Sequence, residues 1–134
     1  MRVVFDTNIF ISAFAILGGR AEIALLKVVE GAVSLIISRV IIREVLDVLA
    51  RKFDRNPEQL ARTAVYLSEL AEIATPRRRV KVLEDEPDNR ILECALAGKA
   101  DVIVTGDQAM LRLGAYRGIK IQSLKDFLAG HEGN

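Results

Sequence analysis

The chain has 134 residues, enough for one domain with a true hydrophobic core. Hydrophobic residues make up 51% and charged residues 28%, which excludes a disordered chain; with 5% aromatics and no Trp, the core is left to Val, Ile, Leu and Ala. The net charge of +1 excludes a global pull toward polyanions, so any nucleic-acid surface has to be a local patch.

The first expected strand is Val3-Val4-Phe5. The apolar stretch from Val3 to Leu17 is broken by Asp6 and Asn8 and falls short of the roughly 18–20 residues of a membrane span. It also lacks the marks of a signal peptide, so a cytoplasmic protein with no membrane association is expected. Helices follow over 8–17 and 21–30, with Gly18-Gly19 as the break between them. A second strand covers Val33 to Ile37, and Ser38 then caps a helix running from Val40 to Phe53. Asn56-Pro57-Glu58-Gln59 supplies a cap and a first-turn Pro ahead of Leu60, Ala64, Leu67 and Ala71. Further strands are expected at Val80–Leu83, Val102–Thr105 and Ile119–Ile121, and further helices at 87–98, 107–113 and 123–129. A lone Cys94 in an apolar helix pattern reads as a small buried side chain.

Short apolar β-type runs alternating with helices imply an α/β architecture, a three-layer α/β/α sandwich around a mainly parallel sheet of about five strands. Residues 1–130 form its single domain, and His131-Glu132-Gly133-Asn134 a polar tail.

The acids fall into a pattern on that scaffold. Asp6 follows the first strand, Asp107 follows the Val102 strand, Asp88 follows Val80–Leu83, and Glu44 lies in the second turn after Ile37. In an open parallel sheet the carboxyl ends of the strands share one edge, so these four acids should meet there. Glu44 also sits at the margin of the apolar face of its helix, where a carboxylate needs a partner. Arg51 and Arg43 are the partners that a purely structural role would use. Four carboxylates together would repel or take up protons unless a divalent cation joined them. Oxygen-only ligands favour Mg²⁺ or Mn²⁺, ions suited to hydrolysis at phosphorus. With His131 as the one histidine, His-based mechanisms are poorly supported.

Val3-Val4-Phe5-Asp6-Thr7-Asn8, the Glu44 helix, Asp85-Glu86-Pro87-Asp88-Asn89-Arg90-Ile91-Leu92-Glu93-Cys94-Ala95 and Ala100-Asp101-Val102-Ile103-Val104-Thr105-Gly106-Asp107 resemble the successive motifs of the PIN domain. The group that looks most similar is the VapC-like toxins of prokaryotic toxin–antitoxin pairs. The resemblance implies that Asp6, Glu44, Asp88 and Asp107 hold one or two Mg²⁺ or Mn²⁺ ions. It implies endonucleolytic hydrolysis of RNA by a metal-activated water, with Asn8 and Thr105 orienting the acids or the metal's waters. A homodimer and a cognate antitoxin are further implications, and a PIN domain of RNA processing is the alternative.

Each residue also has a plainer reading. Asp6 and Asp107 could cap helices, Glu44 could pair with an arginine, and Asp85 or Glu86 could cap the helix that carries Asp88. Asp85 is assigned to a cap or the periphery of the site. Asp101 lies at the opposite strand end and is assigned to the preceding turn, Asp47 and Glu69 to solvated helix faces, and Asp126 to the first turn of the last helix. Arg77, Arg78 and Arg79, with Lys81, are candidate RNA phosphate contacts, as are Arg39, Arg43 and Arg90 nearer the acidic edge. The helices near 20–31 and 57–73 have wide apolar faces that suit dimerisation. Two rival classes fit the residues less well. An aspartyl-phosphate phosphatase needs a second Asp where Asn8 stands, and a receiver domain needs adjacent acids that are absent here. A non-catalytic RNA- or partner-binding module would not require all four acids.

Overall fold

The computed structural model of the chain describes residues 1–131. Its core is a six-stranded sheet in the order β3-β2-β1-β4-β6-β5. The strands are β1 (Arg2–Phe5), β2 (Ser34–Ile37), β3 (Glu72–Ile73), β4 (Val102–Val104), β5 (Ala115–Tyr116) and β6 (Ile119–Gln122). Every pairing is parallel except β5 with β6. Val3, Val4 and Phe5 are almost fully buried, as are Leu35, Ile36 and Ile37. Continuous apolar runs belong in strands covered on both faces, and these central strands take that place.

Among the described residues seven helices flank the sheet: α1 (Thr7–Ala15), α2 (Arg20–Val29), α3 (Arg39–Phe53), α4 (Pro57–Leu70), α5 (Glu86–Ala97), α6 (Gln108–Leu113) and α7 (Leu124–Ala129). Helix α5 packs on β1, β2 and β4; α1 packs on β1, α2 and α3; α7 joins β6 to α2. The expected caps are in place. Ser38 Oγ accepts from Ile41 N, Ser123 Oγ accepts from Asp126 N, and Asn56 with Gln59 forms a reciprocal capping box at α4. Among the described residues no single helix is long and apolar enough to cross a membrane. Cys94 is buried as expected, and burial pushes its thiol up to about 12, leaving it unreactive.

Three details correct the sequence reading of the strands. Val80–Leu83 is not a strand: its backbone is held by side chains of α5 instead of a neighbouring strand. Asn89 Oδ1 accepts from Val82 N and Leu83 N, Glu93 Oε2 accepts from Val80 N, and Arg90 donates to the Val80 carbonyl. In its place the sheet gains β3, a two-residue edge strand, and β5, which returns to β6 through a tight turn. Arg117 and Gly118 form that turn with φ of 48° and 83°, the paired left-handed backbone of a type I′ hairpin. Of the polar tail, His131 is described and its ring packs 4.7 Å from that of Phe127; residues 132–134 lie outside the described residues.

The strand order positions the site. The chain winds from β1 outward through β2 to β3, then returns to the other side of β1 to lay down β4. The direction of winding therefore reverses between β1 and β4, and the carboxyl ends of these neighbours open a crevice, the usual ligand position in open α/β sheets.

Candidate active site

Asp6 and Asp107 follow the two strands that flank this crevice. Asp6 is buried, with 5% of its surface exposed, and its Oδ2 accepts a 2.6 Å hydrogen bond from Thr105 Oγ1. The same hydroxyl accepts from the backbone N of Asp107 at 3.0 Å. Asp107 does cap α6, its Oδ2 accepting from Met110 N at 2.9 Å, which commits one carboxylate oxygen and aims the side chain. Capping and membership of the acidic site thus coexist in one residue.

Asp88 enters from the first turn of α5 and is also buried. Its Oδ2 is shielded from solvent and has no hydrogen-bond partner, a costly arrangement for a carboxylate oxygen. Burial, then the charges of Asp107, Asp6 and Asp85, raise the Asp88 carboxyl from 3.8 to about 7. Asp6 is raised by burial and by Asp107; the Thr105 hydroxyl and the backbone N–H groups of Asn8 and Thr7 oppose this. Glu44, half-buried on α3, is raised by burial first and then by the charges of Asp6, Asp85 and Asp47. Asp6, Glu44, Asp88 and Asp107 therefore share one electrostatic neighbourhood.

Among the described residues none of the four acids forms an ion pair. Arg51, the partner a structural Glu44 would need, pairs with Asp47 at 2.9 Å, and Arg43 is exposed. The plain reading of Glu44 as a salt-bridged helix residue has no support. Asp85 is N-cap of α5 yet makes no side-chain capping bond, while Glu86 pairs with Arg90. Asp85 is accordingly a fifth, exposed acid at the rim.

A model of the PIN domain family matches residues 2–109. The chain belongs to the PIN domain family. An uncharacterized protein of Methanocaldococcus jannaschii is 30% identical over 117 residues, covering 84% of this chain and 75% of that protein. In structure the PIN domain is similar to a chain of VapBC2 from Rickettsia felis, which was crystallised bound to a DNA fragment from its promoter. That match has a TM-score of 0.65 and 16% identity over 92% of this chain and 98% of the other, and it confirms the fold. PIN domains are generally nucleases and generally bind divalent metals.

The donor set of this PIN domain fits such an ion. All donors are carboxylate oxygens, one is an orphaned buried Oδ2, and the carboxyls of Asp6, Glu44 and Asp88 are raised by burial and then by the charge of neighbouring acids. Among the described residues no three His, Cys, Asp or Glu side chains stand close enough together to hold a metal ion as a group. Mg²⁺ asks for less, since it takes one or two carboxylates and keeps several waters.

The remaining expected residues divide. Thr105 is at the centre of the site, whereas the Asn8 side chain is exposed and acts on Asp6 through its backbone N–H. Arg39 and Arg43 lie exposed in the first turns of α3, on the acidic edge. Arg90 is not free for a ligand: its side chain is 13% exposed and bonds Glu93, Glu86 and the Val80 carbonyl. Arg77, Arg78 and Arg79 belong to the segment after β3, and Arg77 and Arg78 line a groove with Lys99, away from the acids. Asp101 lies at the amino edge of the sheet, as expected, but it accepts from Arg2 N at 2.7 Å rather than ending the helix turn. The two polar residues missed in the sequence are Asn89 and Glu93, fully internal groups that pin the 80–83 segment to α5. Their helical spacing, four apart on one face, was the available signal.

Proposed function

We propose that this PIN domain is a Mg²⁺- or Mn²⁺-dependent endoribonuclease, the toxin component of a toxin–antitoxin pair acting in the cytoplasm. The observation that carries the reading is the meeting of Asp6, Glu44, Asp88 and Asp107, none of them in an ion pair among the described residues, with Asp88 Oδ2 unpartnered. Asp6 and Asp88 are the principal ligands, and Asp107 and Glu44 complete the set. A bound ion of this kind lowers the pKa of water and stabilises charge at a phosphodiester phosphorus.

The protein's own part is orientation and proton handling. Thr105 fixes the Asp6 carboxylate by a buried hydrogen bond, and the Met110 N–H fixes Asp107. Glu44, half-buried with a raised pKa, is suited to taking a proton from the attacking water. Arg39 and Arg43 supply positive charge beside the acids for the flanking phosphates. The toxin assignment is supported by the likeness to VapBC2. Exposed apolar residues on α2 (Ile23, Leu26, Val29) and α4 (Val65, Tyr66) offer surfaces for a homodimer or an antitoxin.

The test is cleavage of mixed-sequence RNA with Mn²⁺ or Mg²⁺, beside EDTA and an Asp6→Asn variant. Cutting that needs both the metal and Asp6 supports the reading. Cutting that survives EDTA, or Asp6→Asn, sinks it.

A further inference from the structure

A second charged feature lies at the other edge of the sheet. A groove of about 1000 Å³ is lined by Arg77, Arg78, Lys99 and Arg117. A smaller hollow of about 210 Å³ shares Arg78 and Arg117 and adds Arg79 and Lys81. Lys99 precedes β4 and Arg117 precedes β6, at the amino ends of those strands, while Arg77 and Arg78 come from the segment that follows β3 and lie with Leu96 and Ala97 at the end of α5. The candidate active site occupies the carboxyl ends.

Most of the positive charge here is uncompensated, although Arg79 lies 4.0 Å from Glu93. Among the described residues Arg77, Arg78, Lys81, Lys99 and Arg117 form no ion pair. The acids that line the groove are already taken: Glu72 bonds Arg2 at 2.6 Å, and Glu93 bonds Arg90 at 2.8 Å. A chain of net charge +1 that gathers these cations on one face has a strongly uneven distribution of charge. Two of the cations also occupy unusual backbone. Lys99 has φ of 52° and Arg117 has φ of 48°, a region that glycine enters freely and side chains rarely do. Both turns carry long cationic side chains where glycine would relieve the strain.

We propose that this groove is a second RNA-binding site, which holds the sugar-phosphate backbone of a single strand away from the point of cleavage. The occupant follows from the charge: a row of guanidinium and ammonium groups with few aromatics matches successive phosphates, not stacked bases. Helix α5 sets the distance. Asp88 lies in its first turn and Lys99 just beyond its end, and a helix of 12 residues is about 18 Å long. At roughly 3.4 Å per nucleotide of a stacked strand, about five nucleotides bridge the two sites. The groove would anchor the strand by affinity without choosing its sequence. This rests on the ribonuclease reading for its purpose, but its binding can be measured apart from cleavage.

The experiment is fluorescence anisotropy with a labelled single-stranded RNA of about 20 nucleotides, in EDTA, across a series of KCl concentrations. The Arg78→Ala/Arg117→Ala double variant should bind roughly tenfold or more weakly than wild type. Its slope of log affinity against log salt should fall by about 1.4, since each phosphate contact of a single strand contributes about 0.7. Lys52→Ala/Arg62→Ala, which removes as much charge from exposed helix faces elsewhere, should bind as wild type does. A groove variant with wild-type affinity and slope overturns the proposal, as does poly-glutamate binding the groove more tightly than RNA, the mark of an acidic protein partner. Wild type that binds RNA through the groove but never cuts it with metal would uphold the groove and sink the nuclease reading.

Discussion

The hydroxyl of Thr105, at the end of β4, donates a 2.6 Å hydrogen bond to Asp6 Oδ2, at the end of β1. It also accepts from Asp107 N, so one side chain ties together both strands of the crevice and two of its acids. Thr105→Val keeps the shape and removes the hydroxyl. Buried groups on both sides then lose their partner, at a cost of about 1–3 kcal/mol in thermal or denaturant unfolding. Residues that orient metal-binding carboxylates typically change metal affinity by about 10–100-fold, and Mn²⁺ affinity should fall by that order in Thr105→Val. Thr105→Ser should recover most of the loss. Equal Mn²⁺ affinity in the wild-type and Val proteins would remove Thr105 from the site.

Asp88 gives a pH dependence whose sign can be worked out. Its folded value of about 7 stands above the ordinary 3.8, so the metal-free folded state holds this proton more tightly than the unfolded chain does. The associated stability is fully present below about 3.8 and is lost as pH rises through about 7. Metal-free protein should therefore lose part of its stability between these values. Asp88→Asn, neutral at every pH, should flatten that trend and stabilise the metal-free protein at pH about 8 by ~1–2 kcal/mol, as relief of a strained functional site commonly does. The same variant should lose cleavage. A wild-type stability profile that rises across this window would contradict the burial and charge ascribed to Asp88.

Glu93 is the anchor of the segment that leads into the site. It is 6% exposed, accepts from Val80 N at 2.8 Å and pairs with Arg90 at 2.8 Å. Glu93→Gln leaves the largely buried Arg90 without its closest counter-charge, a loss on the order of 3–5 kcal/mol. Urea unfolding measures it directly, and a shift below about 0.5 kcal/mol would show the pair to be dispensable.

Metal should stabilise the folded protein. An ion that binds only the native state adds about 2.7 kcal/mol at a hundredfold excess over its dissociation constant. Melting temperature should thus rise with Mn²⁺ in wild type and stay level in Asp6→Asn. A rise of equal size in both would place the ion elsewhere.

Most of the fold was legible in the sequence because its signals are long-period ones. The α3 and α4 helices carry caps and apolar stripes, and β1, β2 and β4 each hold an unbroken run of three buried apolar residues. The parallel-sheet rule places Asp6 and Asp107, which follow β1 and β4, and Glu44 and Asp88 lie in the first two turns of α3 and α5, although the strand expected before Asp88 is absent. What failed was short or held by tertiary contacts. The two-residue strands β3 and β5 are below any periodicity, and Val80–Leu83 has strand composition but spends its backbone bonds on Asn89, Glu93 and Arg90. Arg90 was assigned to a ligand from its place near Asp88; its burial against Glu93 depends on a partner one helical turn away. The groove gathered by Lys99 and Arg117 unites residues from separate turns, and no local pattern announces it.

The central claim is that Asp6, Glu44, Asp88 and Asp107 form a divalent-metal site, and calorimetric titration of Mn²⁺ into the protein near pH 6.5 tests it most directly. Because Asp88 is raised to about 7, the ion should displace a proton as it binds. The predicted result is saturable binding whose heat differs between buffers of different ionisation enthalpy, and no binding by Asp6→Asn. No binding to the folded wild-type protein, or binding left intact by Asp6→Asn, would contradict the account.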